Sequence, residues 1–205
     1  MEQDAAAEHL QVIRTLMERT ALYRRTLAPV MLFIGAAGTL AGIGGAALGI
    51  DSARAFGAWW LAAALVAVAG AFVIARRQSV RDGEPFWSPP ALRVTQAVLP
   101  PLAAGFLFSL ATLAAGGPVR WLFVLPNAFF YGCAVHAAGF FMPRGMKLFG
   151  WLIIAISGAA GLGLRFVDTP SGFLVDHAFM TAVFGLLHVA YGVYLYVTEA
   201  RKSTA

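Results

Sequence analysis

Charge is what this sequence has least of. Only 12% of its 205 residues are Asp, Glu, Lys or Arg, about half the share of an ordinary soluble domain. A water-soluble fold of this length cannot cover its surface with so few charges, so that class is excluded. Cysteine is close to missing too. The one copy, Cys133, falls in an apolar run, which leaves no intramolecular disulfide and suggests no thiolate metal site. There is no phosphate loop, no GxSxG, no HExxH and no CxxC, so none of the chemistries those motifs serve is encoded, and no catalytic residue is expected. The first residues, MEQDAAAEHL, are acidic and polar, unlike the basic-then-apolar order of a signal peptide.

What is present is apolar. Hydrophobic residues make up 60% of the chain and come in long runs. About 20 such residues, rising 1.5 Å each in a helix, match a hydrocarbon core of about 30 Å. Six runs of that kind are read, at 29–50, 56–75, 97–115, 121–142, 148–164 and 177–197. A helix satisfies its own backbone in lipid, so the expected fold class is all-α, a polytopic membrane bundle of six transmembrane helices.

The basic residues predict its orientation. Arg14, Arg19, Arg24, Arg25, Arg76, Arg77, Arg81, Arg93, Arg144, Lys147, Arg201 and Lys202 fall on one side, and only Arg54, Arg120 and Arg165 on the other. Lys and Arg are retained on the cytoplasmic side, which predicts an N-in, C-in arrangement. The same distribution accounts for the net charge of +5 without nucleic acid as a partner; the partner expected is the lipid bilayer.

Three regions follow. Residues 1–27 read as an interfacial amphipathic helix, with Leu10, Ile13 and Met17 on one face. Docking of residues 4–25 to a cytoplasmic protein is the alternative. Residues 28–198 form the membrane domain and 199–205 a cytoplasmic tail. The connection RRQSVRDGEPFWSPPALRV is expected to lie along the inner surface, with Phe86 and Trp87 at headgroup level.

Small residues mark where the helices pack. Gly38, Gly42, Gly45 and Gly49 lie in the first span, Gly132 and Gly139 in the fourth, Ser157 and Gly161 in the fifth, and Gly185 and Gly192 in the sixth. They are expected to pack within one chain, with a homo-oligomer contact as the other option. YGCAVHAAG in the fourth span aligns with FGLLHVAYG in the sixth, which suggests tandem two-helix units.

No Asp, Glu, Lys or Arg lies well inside any span. That argues against a proton pump, a carboxylate-based ion-coupled transporter and a voltage sensor. Two histidines do lie inside, His136 and His188. Gly132, His136 and Gly139 share one helix face, and Thr181, Gly185, His188 and Gly192 share another, so the two imidazoles are expected to face each other across parallel helices. The favoured reading has each ring hydrogen-bonding a neighbouring helix, with no cofactor. The functional alternatives are a polar point in a ligand cavity, a metal site, or b-type haem held between His136 and His188. Candidate ligand-binding residues are His136, His188, Asn127, Tyr131 and Thr181. Asp168, Asp176 and His177, beside Arg165, read as a solvated outer rim, with a cation site as the alternative. The function expected is a non-catalytic small-ligand-binding, sensory or accessory membrane component; electron transfer through haem and passage of a small neutral solute are the rivals.

GEPFWSPPALR before LPPLAAG, with YGCAVHAAGFFMPRG further on, resembles a group of bacterial multi-spanning inner-membrane proteins of no established activity. The resemblance runs over most of the chain. It implies the bacterial inner membrane and carries no catalytic residue.

Overall fold

The computed structural model describes residues 27–83, 85–115, 120–163 and 173–203. The amphipathic segment expected over 1–27 lies almost wholly outside them, as do Arg165 and Asp168. No strand occurs among the described residues, and six helices are long and apolar enough to cross a membrane. They are α1 (Leu27–Ala47), α2 (Ala53–Arg81), α3 (Pro89–Ala114), α4 (Arg120–Ala138), α5 (Arg144–Gly163) and a composite sixth span. That span begins as α6 (Phe173–Met180), passes through a π-helical segment (Thr181–Leu186) and continues as α7 (Leu187–Ser203).

Local sequence explains two of the helix starts. Ser52 caps α2 by accepting from the Ala55 amide, and Ser88 caps α3 by accepting from the Ala91 amide. Pro89 and Pro90 occupy the first turn of α3, where a missing N–H costs nothing. The connection expected to lie along the inner surface is therefore mostly helix. The α2 helix runs on past Ala75 through Arg81, and α3 starts at Pro89, eight residues before Ala97. Twenty-nine residues make α2 about 43 Å long, beyond the roughly 30 Å hydrocarbon thickness. The surplus carries Arg76, Arg77 and Arg81 towards water. Phe86 stays near α2, with its ring 5.0 Å from Phe72. Conversely, α4 stops at Ala138 and not at Met142.

The sixth span touches α1, α2, α4 and α5. Its α1 contact is a backbone seam. A Cβ on Gly35 would meet the Val189 amide at 2.6 Å, one on Gly38 would meet the Phe184 carbonyl, and one on Gly42 would meet Thr181 Oγ1. From the other side, Gly185 abuts Thr39 and Gly192 abuts Leu32. The fourth and fifth helices repeat the device, with Gly132 against Ile154 and Gly150, and Gly139 against Lys147. Two predicted packing roles change. Gly49 is not in the seam: it turns the chain after α1 with φ +63° and has nothing near its Cβ position, because α1 ends at Ala47. Gly161 makes only an ordinary contact with Leu125 at 3.5 Å.

Candidate functional site

Polar contacts join the helices inside the bundle at several points, and three of them involve residues of the candidate set or its neighbours. The most deeply placed is built on His188, which is fully buried and about 15 Å along the helix from Thr198. Tyr131 Oη of α4 lies 2.6 Å from its Nε2. Its Nδ1 lies 3.0 Å from the Val183 carbonyl. A carbonyl only accepts, so in the neutral imidazole Nδ1 carries the proton and Nε2 accepts from the tyrosine hydroxyl. Phe149 of α5 stands edge-on to the ring, at 4.9 Å and 86°, and stacks on Tyr191 at 4.7 Å and 10°. Phe184 closes the other side of Tyr131 at 5.2 Å.

The π segment explains where His188 points. Inside the segment the Leu187 amide donates to Ala182, five residues back. Returning to ordinary α bonding passes over one carbonyl, and the next after Ala182 is that of Val183, the one His188 Nδ1 reaches. The histidine thus supplies the donor that the backbone withdraws. The segment also re-aims the helix. Eleven residues of plain α-helix would leave His177 and His188 about 20° apart around the axis. One residue absorbed in the π segment makes that about 80°, so His177 turns to α2 and His188 to α4 and α5.

The second contact sits towards the α1–α2 turn. His177, also buried, accepts from Trp60 Nε1 at Nδ1, 3.2 Å. Its Nε2–H then donates to the Ile50 carbonyl, 3.1 Å away. Phe56 stands edge-on at 4.8 Å. The third joins α3 to α4. Ser109 Oγ lies 2.8 Å from Asn127 Oδ1, and Asn127 Nδ2 donates to the Phe123 carbonyl one turn back at 2.6 Å, while the neighbouring Pro126 has no N–H to offer the Leu122 carbonyl.

No protein-family model, no curated protein and no solved structure matches the chain. The site therefore stands on its own geometry.

That geometry rearranges the predicted set. His136 and His188 are not brought together. Gly132, His136 and Gly139 do share a face, but it is turned to α5: the His136 backbone packs on Gly150, its ring lies 5.2 Å from Trp151, and its Nδ1 lies 3.3 Å from the Lys147 carbonyl. Because α4 ends at Ala138, His136 is in its last turn, about 3 Å from the helix end, while His188 is in mid-span. The residue of α4 that meets His188 is Tyr131. The arrangement that bis-histidine haem requires is thus not the one formed, and both ring nitrogens of His188 already face protein groups. Thr181 parts from His188 as well, since it faces Gly42 of α1 and donates to its own His177 carbonyl. Asn127 is an interhelical brace. Asp176 and His177, expected on a solvated rim, are buried. Among the described residues no three His, Cys, Asp or Glu side chains cluster.

Nothing in the sequence alone marks Ser109 or Trp60 as a contact residue. A serine in an apolar helix and a tryptophan near a helix end are common, and only the facing helix reveals their partners. The one signal available for Ser109 was Gly105 four residues before it, a small-residue pair on one face.

Proposed function

We propose that this is a non-catalytic component of the bacterial inner membrane that binds or senses a small ligand at the Tyr131–His188 pair. One observation carries the reading: a buried hydroxyl–imidazole contact of 2.6 Å at mid-span, beside a π-helical segment. Intramembrane polar groups are functional candidates by default because they are costly there, and π segments gather at functional sites. A ligand with one donor or acceptor could exchange for either partner of that bond.

The test is a thermal-shift screen of the purified full chain in detergent with small amphiphilic hydrogen-bonding compounds. A ligand at a hundredfold excess over its Kd stabilises by about 2.7 kcal/mol. At least one compound is expected to raise the Tm of the wild type and to lose that effect in Tyr131→Phe. Stabilisation by every active compound that is equally large in Tyr131→Phe would overturn the site.

The membrane and orientation rest on the twelve-to-three split of basic residues and on the resemblance. A periplasm-active reporter fused after Lys202 is expected to stay silent, and one inserted near Ser171 to be active. Activity at the C-terminal fusion would defeat the N-in, C-in arrangement.

A further inference from the structure

The π segment, Thr181–Leu186, joins two halves of the sixth span that face different neighbours. Its residues are held from two sides. Thr181, Phe184 and Gly185 lie against the glycine seam of α1, at Gly42, Gly38 and Thr39. Val183 is buried in the core and gives its carbonyl to His188. Ala182 is exposed. Before the segment, His177 is set against α2; after it, His188 and Tyr191 are set against α4 and α5. Both halves of the span are thus fixed in rotation, and the segment takes up the mismatch between them.

We infer that the π segment is a one-residue insertion in an otherwise α-helical span, with Ala182 as the surplus residue and His188 as the latch that holds the insertion in place. Two registers follow. In the latched register the Val183 carbonyl is served by the imidazole. If the latch releases, the Leu187 amide can return from Ala182 to Val183 and the segment closes into plain α-helix. The chain beyond it then turns by about 100°, which swings His188 away from Tyr131. That rotation also takes Val189 off Gly35 and Gly192 off Leu32 of α1, so the seam favours the latched register. The device is thus a conformational element whose two states differ in whether His188 reaches α4.

A deletion series on the full chain tests this, read by thermal melting and by amide hydrogen exchange in detergent. Removing Ala182 abolishes the mismatch and keeps both halves in their present rotation. That variant is expected to fold, to melt no lower than the wild type, and to exchange its amides over 183–188 roughly tenfold more slowly, because the local opening is gone. Removing Ala190, also an exposed residue, within α7, turns everything after it by about 100° and is expected to lower the Tm sharply. His188→Leu is expected to lower the Tm of the full-length chain by at least twice as much as it lowers that of the Ala182 deletion, where the Leu187 amide already serves the Val183 carbonyl. Equal losses from the two deletions, or an equal effect of His188→Leu in both backgrounds, would overturn the inference. A failed ligand screen leaves it untouched, since it rests on the helix and not on a ligand.

Discussion

Gly38→Leu is expected to abolish the folded bundle. The group that a side chain at this position would strike is backbone, the Phe184 carbonyl and the Gly185 amide, and neither can rotate aside. Ordinary overpacking, relieved by moving side chains, costs about 1–3 kcal/mol. Here α1 must leave the sixth span along the whole seam, so the loss should exceed that range. A graded series separates this mechanism from a general dislike of larger residues. Gly42→Ala strikes no backbone atom: it meets Thr181 Oγ1, which can turn only by leaving the His177 carbonyl, and Thr181 Cβ at 2.9 Å, and it should cost less than Gly38→Ala. Gly158 has nothing within 4 Å of its Cβ position, so Gly158→Ala should be neutral or gain up to about 1 kcal/mol from the stiffer chain. Melting temperatures in detergent, in the order Gly38→Ala, Gly42→Ala, wild type, Gly158→Ala from lowest to highest, are the expected outcome. A Gly38→Leu protein that melts like the wild type would show that α1 does not pack where it is described.

His177→Leu should be the most damaging single change of a polar residue at the α1–α2 end. It keeps the bulk but leaves two groups without their partner, the buried Trp60 N–H and the Ile50 carbonyl. Each such group costs about 1–3 kcal/mol when left unmet. Trp60→Phe removes the donor and leaves only the His177 Nδ1 acceptor unmet, so it should cost less, and the two changes together should cost less than their sum because they share one bond. Additive losses in that double-mutant cycle would mean that the contact contributes nothing as a pair. The same clasp ties the α1–α2 turn to α2 and α6, so amide exchange at Ile50 and its neighbours should accelerate in His177→Leu and stay unchanged in Tyr131→Phe.

Much of this protein could be read before any coordinates. The number of spans follows from run length, since about 20 apolar residues are what the bilayer demands, and all six are present as helices. The seam glycines Gly38 and Gly42 and the pairs Gly132–Gly139 and Gly185–Gly192 are legible because close backbone approach in lipid needs small residues; Gly45 instead makes room for the His177 ring. The shared face of Gly132, His136 and Gly139 followed from helical period alone.

Partner choice was decided by the tertiary structure. Helical period shows which residues share a face, and it is silent on which helix that face meets. Period alone sets His136 opposite His188, whereas its face belongs to α5 and Tyr131 takes the position. Depth failed for a related reason. The apolar run continues to Met142, but α4 ends at Ala138, and hydropathy does not register the helix stop. The π segment was invisible for a third reason. It exists because the two halves of one span must satisfy different neighbours, α2 through His177 and α4 with α5 through His188 and Tyr191. No local property of TAVFGL records that requirement, which belongs to the packed bundle.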